Sequence, residues 1–231
     1  MRKYFKPLLA VCIGILPVNL IMIWYRLTYA ESFTITDMLL YPLIIGGGNI
    51  LLILALNRYL LKEKLGEFNP GKGSWYLDFT AAFVLTAVYF LLMFIERSLL
   101  SGILPQGKPQ SQEVIELMTG LAQNPVLLAI WLGPVAWIGV ALFEEISRVF
   151  FMNCLWKLGN HLVWSVVVII IVAVFAGIVH FYQGPIGIIS VGIQGLVAGL
   201  FYFKFRRIWP LIISHALFDS IQILMFVFMT T

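Results

Sequence analysis

Four charged side chains lie well inside apolar stretches of this 231-residue chain: Glu144, Glu145, Arg148 and Asp219. Insertion scales put about 2.5–3.5 kcal/mol on an Asp, Lys or Arg at a membrane-helix centre, so such groups face a bundle interior or water cavity and mark function. Glu144 and Glu145 stand four and three residues before Arg148, and on a helix the guanidinium can reach either carboxylate. One Glu is thereby neutralised. The other is left in a low-dielectric site, the setting of a general base or acid. A clasp between helices needs only one carboxylate, and here there are two. His215 has Asp219 one turn later on the same face, where the carboxylate can accept a hydrogen bond and fix the ring tautomer; packing between helices could use the same pair. His180 ends an apolar run, in His180-Phe181-Tyr182-Gln183-Gly184, as an interfacial or a catalytic group. His161, in a short loop beside Asn160, reads as solvated.

The elements that must hold these residues are membrane helices. Hydrophobic residues make up 61% of the chain and charged residues 11%, against about 25% in a soluble domain. A hydrocarbon core needs about 20 apolar residues per crossing. Windows of that kind run near 7–25, 38–61, 79–95, 126–158, 162–180, 185–203 and 208–229. The fourth is too long for one straight crossing, and Gly133-Pro134 predicts a kink or a split that raises the count to eight. The expected fold is all-α, a polytopic bundle of seven to eight transmembrane helices forming one transmembrane domain over residues 1–231. Lys62 to Tyr76, with Asn69-Pro70-Gly71, and Ser98 to Gln112, with Pro105 and Pro109, read as polar loops. Val114, Ile115, Leu117, Met118 and Leu121 follow helical spacing, for a helix on the membrane surface or packed under the bundle.

The formal charge of +4 does not indicate nucleic acid, because the basic residues stand at the ends of apolar runs and form no stripe. With seven spans, the alternate loops carrying Arg58, Lys62, Lys64, Lys72, Lys157, Lys204, Arg206 and Arg207 share a side with Arg2, Lys3 and Lys6. Arg26, Arg97 and Lys108 fall opposite, so the positive-inside rule predicts a cytoplasmic N-terminus. The expected location is a bacterial inner membrane. The apolar run from Pro7 to Tyr25 exceeds a signal-peptide core, so it is expected to be retained despite the cleavage-like Thr28-Tyr29-Ala30. Cys12 and Cys154 show no paired spacing, and Gly195 and Gly199 read as tight helix packing. There is no clear internal repeat of the kind that builds many transporters.

Glu144 to Arg148 (EEISR), Phe175 to His180 (FAGIVH) and His215 to Asp219 (HALFD), on successive helices, resemble the three motifs of the CPBP family of membrane proteins. That family includes the CAAX prenyl proteases and proteins assigned to bacteriocin processing or self-immunity. Its motifs are EExxxR, FxxxH and HxxxN or HxxxD; here the first is one residue shorter and the second one longer. The resemblance covers about residues 134–225 and includes Tyr182-Gln183-Gly184 and the Trp209-Pro210 that precedes HALFD. It implies an intramembrane endopeptidase of glutamate type. Glu144 with His180 would activate water, although aligning Arg148 instead of the glutamates leaves the choice between Glu144 and Glu145 open. His215 would face the carbonyl oxygen. Asp219 stands where the prenyl proteases have Asn, and an ionised carboxylate cannot donate to an oxyanion, so it would orient His215.

The partners expected are the lipid bilayer and a peptide or membrane-protein substrate, with no cofactor. A different class is a non-catalytic membrane partner or immunity-type protein that keeps the polar cluster as scaffold. Glu144, His180 and His215 would also make a His-His-Glu zinc set, but the HExxH helix signature is absent.

Overall fold

The structure is a computed structural model that describes residues 2–29, 34–104 and 112–230. Residues 105–111, with Pro105, Lys108 and Pro109, lie outside the described residues, as do Ala30 of the cleavage-like tripeptide and Thr231. The fold is all-α, and seven helices are long and apolar enough to cross a membrane. In chain order the helices are α1 (Tyr4–Tyr25), α2 (Ile35–Leu61), α3 (Trp75–Leu100), α4 (Gln112–Gln123), α5 (Pro125–Trp156), α6 (Leu162–Val179), α7 (Gly184–Phe205) and α8 (Trp209–Thr230). All but α4 are candidate spans. Leu51, Phe94 and Val163 point outward and exposed, as side chains that meet lipid do.

The over-long fourth stretch bends at Gly133, where two helical segments meet across a kink, and together they form one of the seven candidate spans. Pro134 has no N–H to give and crowds the carbonyl one turn back, so the ladder widens into π-helical turns over Trp131–Leu142, and Gly133 takes a non-helical φ of −90° and ψ of −105°. The straight segment Phe143–Trp156 that follows carries Glu144, Glu145 and Arg148. α1 breaks at Ile15, two residues before Pro17, and its first half is buried against α5 through Ala10, Val11 and Ile15. Of the two placements open for α4, the helix takes the one under the bundle. Leu121 is buried with Leu39, Trp131, Val135 and Ile223, because an apolar face turned to neighbouring side chains leaves water more completely than one lying on headgroups. The side chains of Val114 and Ile115 are outside the described set.

The third span is longer than its apolar window, and it takes in Asp78 and Glu96, both buried. Asp78 pairs with Arg207, whereas both oxygens of Glu96 lack a hydrogen-bond partner among the described residues. Close backbone approaches hold α6 against α7. A Cβ on Gly177 would sit 2.5 Å from the Ile188 carbonyl oxygen, and one on Gly199 would sit 2.7 Å from Ile169, so the packing reading of the glycine-rich helix holds.

The loop at Lys62 to Ser74 is ordered by the turn between α7 and α8. Gly71 N–H donates to the Arg206 carbonyl (2.9 Å), Ile208 N–H to Asn69 Oδ1 (2.9 Å), and Tyr202 Oη to the Glu67 carbonyl (3.3 Å). Arg207 forks onto both oxygens of Asp78 and donates to the Gly71 carbonyl at 3.0 Å. The Asp78 carboxylate holds the guanidinium even more firmly in its charged form. Lys157 pairs with Glu63 at 2.5 Å across the same end. The loops grouped as one basic side in the sequence therefore meet at one end of the bundle.

Candidate functional site

Consecutive glutamates on a helix point about 100° apart, and α5 uses that divergence to give each a separate environment. Glu145 is buried, its side chain only 2% exposed. Its Oε1 accepts from Arg148 Nη1 one turn on and from His215 Nδ1 at 2.8 Å across on α8. Glu144 is 22% exposed and borders a cavity. Of the two carboxylates that the sequence left open, Arg148 takes Glu145, and Glu144 is the one left over.

The same contacts reassign the orientation of His215. Its ring is fixed by Glu145 from a neighbouring helix, while Asp219 Oδ2 lies 3.6 Å from Nε2, beyond a hydrogen bond. Asp219, one turn along the same helix, can reach only the ring nitrogen that Glu145 does not hold. His215 Nδ1 carries the proton given to Glu145, since an ionised carboxylate only accepts. Nε2 is thereby turned to Glu144 Oε2, 3.9 Å away.

His180 caps α6 from the other side. The helix stops at Val179, and His180 leaves it with φ −95° and ψ 21°. Its own N–H bonds the Gly177 carbonyl, which leaves the Ala176 carbonyl open, and His180 Nδ1 closes onto that oxygen at 2.7 Å. A carbonyl accepts, so Nδ1 bears the hydrogen and Nε2 is left as an acceptor in the neutral ring. Nε2 stands 3.9 Å from Glu144 Oε1. Two acceptors at that spacing suit a water between them that donates to both. By rise per residue along level helices, the two histidines belong at different depths, yet both reach Glu144 with no eighth crossing.

A cavity of about 90 Å³ lies against Glu144, between α1, α5 and α6. Glu144, Ser147, Arg148 and His180 supply polar lining, and Phe143, Phe151 and Phe175 apolar lining; Phe175, from the second motif, packs edge-on against Phe151 at 5.4 Å. At about 30 Å³ per water the space holds a few waters. Two buried side-chain atoms, Glu145 Oε2 and Arg148 Nε, each have no hydrogen-bond partner among the described residues.

Two site features escaped the sequence reading. Asn19 of α1 lines the cavity. Asn49 of α2 is buried and donates from Nδ2 to Ser147 Oγ at 3.3 Å. A lone Asn inside an apolar run was the available signal for both. His161, read as solvated, caps α6: it is exposed, but its Nδ1 accepts from Trp164 N–H at 3.0 Å.

The Glu144, His180 and His215 set does not close on a zinc geometry. Ligand atoms about 2.0–2.2 Å from one ion lie near 3.3–3.5 Å from each other, closer than the 3.9 Å at both histidines. Among the described residues no group of three or more His, Cys, Asp or Glu side chains is placed to hold a metal ion.

Residues 126–221 match the family model described as type II CAAX prenyl endopeptidase Rce1-like. All six candidate residues fall within that segment, and the resemblance to CPBP peptidases is shown over it. No curated protein and no solved structure matches the chain. Seven apolar helices make this a multi-pass membrane protein, and the segment over residues 126–221 is similar to a family of CAAX prenyl endopeptidases.

Proposed function

We propose that the chain is a glutamate-type intramembrane endopeptidase, with Glu144 as the base. The observation that carries the reading is the division of labour between two adjacent carboxylates: Glu145 is consumed by Arg148 and His215, while Glu144 faces a cavity with a histidine Nε2 at 3.9 Å from each oxygen. Water held between Glu144 and His180 gives its proton to the carboxylate as its oxygen attacks the substrate carbonyl carbon. The C–N bond breaks as the proton passes to the departing amine, leaving a carboxylate and an amine. His215, held by Glu145, faces the carbonyl oxygen and stabilises the charge that develops there. With Nδ1–H held by Glu145, Nε2 can donate to that oxygen only when the ring carries a proton on both nitrogens, and Asp219 stands 3.6 Å from Nε2.

The description of the matched family makes a prenylated peptide ending in Cys-a-a-X the first substrate to try. Purified full-length protein is incubated with a farnesylated peptide of that form and with a mixed library of unmodified hydrophobic peptides, and new termini are read by mass spectrometry. Glu144→Gln keeps the shape and removes the base, so turnover is expected to fall about 10²–10⁴-fold. Cleavage by Glu144→Gln at the wild-type rate sinks the assignment of the base. Cleavage by neither protein favours a non-catalytic scaffold, and loss on chelation points to a metal route.

A further inference from the structure

The cavity beside Glu144 has a wall from outside the segment that matches the peptidase family. Ile15, Asn19, Met22 and Ile23 of α1 lie opposite Glu144, Arg148 and His180. Asn19 is the polar member of that wall. Part of its work is local: at the break in α1 its main-chain N–H is 3.4 Å from the Ile15 carbonyl, and its side-chain Nδ2 donates to the same oxygen at 2.7 Å. Because a carbonyl accepts, the amide nitrogen is the end turned into the helix. Oδ1 then has no partner among the described residues. A serine hydroxyl, which bonds back to the carbonyl four residues earlier, would serve the break equally well. The spare acceptor at the cavity is what the break does not explain.

We propose that Asn19 is a substrate-binding residue whose Oδ1 accepts a hydrogen bond from a main-chain N–H of the segment being cut. The proposal rests on the peptidase reading. A peptide bond becomes open to attack only when its segment is extended, and in hydrocarbon every N–H released from a helix costs several kcal/mol until it finds an acceptor. Around this cavity Glu144 is committed to water, Arg148 only donates, and Ser147 already accepts from Asn49. The Asn19 amide supplies a neutral acceptor. Since the contact is to main chain, it holds substrates of different side-chain sequence alike.

The test uses purified full-length protein with the peptide that wild type cleaves best among the farnesylated peptide and the mixed library. Asn19→Leu removes both hydrogen bonds, whereas Asn19→Ser keeps the bond to Ile15 and withdraws the acceptor from the cavity. Both variants are expected to raise KM about three- to tenfold, the worth of one hydrogen bond, with kcat changed less than about twofold. Asn19→Ser should keep the wild-type thermal midpoint, so it decides the matter alone if Asn19→Leu does not fold. A wild-type KM in Asn19→Ser, with wild type active, overturns the inference and leaves the peptidase reading standing. A wild-type protein no more active than Glu144→Gln sinks that reading, and the role of Asn19 with it.

Discussion

At the residue scale, neighbouring glutamates of one type have unlike surroundings because a 100° turn of the helix separates a sealed environment from the edge of a cavity. Glu145 is closed in by Arg148 and His215, and losing it leaves a buried guanidinium without its counter-ion. Breaking a buried pair from one side costs about 3–5 kcal/mol in proteins generally, so Glu145→Ala should lower the thermal midpoint strongly. Glu144→Ala, at a cavity edge, should leave it nearly unchanged while abolishing turnover. Equal losses of stability in the two variants would contradict the separation of roles. His215→Ala should combine both effects, losing turnover and part of the stability that Glu145 confers; a fully active His215→Ala protein would remove the oxyanion role. The shortened spacing from Glu to Arg was readable in the sequence, but not which Glu the Arg would choose. That choice needed His215, seventy residues on, to occupy the same oxygen.

At the element scale, the histidines arrive at Glu144 because small residues let helices come close and because helix ends are pinned. Gly177 sits three residues before His180, and a Cβ there would meet the Ile188 carbonyl oxygen at 2.5 Å. Gly177→Ala should push α6 from α7, costing about 1–3 kcal/mol in stability and displacing the His180 ring, so that activity falls more than the midpoint alone explains. Activity and midpoint measured together check this; unchanged values for both would mean the interface yields freely. On the other side, Arg207 joins α8 to α3 and to the loop at Gly71 with its planar fork. Lysine cannot make those contacts together, so Arg207→Lys should destabilise the protein despite keeping the charge. A wild-type midpoint in Arg207→Lys would show that the fork geometry is dispensable. The helices themselves were legible from apolar length, and Gly133-Pro134 marked the kink in α5, but not what it packs against. The widened turns of α5 lie directly against α2, where a Cβ on Gly139 would meet Pro42 at 2.8 Å.

At the scale of the whole molecule, the loops with most of the basic residues converge on one end through Lys157–Glu63, Gly71–Arg206 and Arg207–Asp78. By the positive-inside rule that end is expected to face the cytoplasm. In intact cells a Lys72→Cys variant should resist a membrane-impermeant thiol reagent until the membrane is opened, whereas Ile103→Cys, in the exposed turn that follows α3, should react at once. The opposite pattern would reverse the orientation. Hydrophobic length alone determined that the chain is a bundle of membrane helices, since a backbone in lipid must bond to itself. The rarity of charge in hydrocarbon likewise singled out Glu144, Glu145, Arg148 and Asp219, and motif order added His180 and His215. Only the tertiary structure decided that Arg148 belongs to Glu145, that Glu145 and not Asp219 holds His215, and that Asn19 of the first helix walls the cavity. Pairing of this kind depends on distances of a few ångströms between side chains far apart in the chain. Local periodicity has no access to those distances, because they follow from how all the helices pack together.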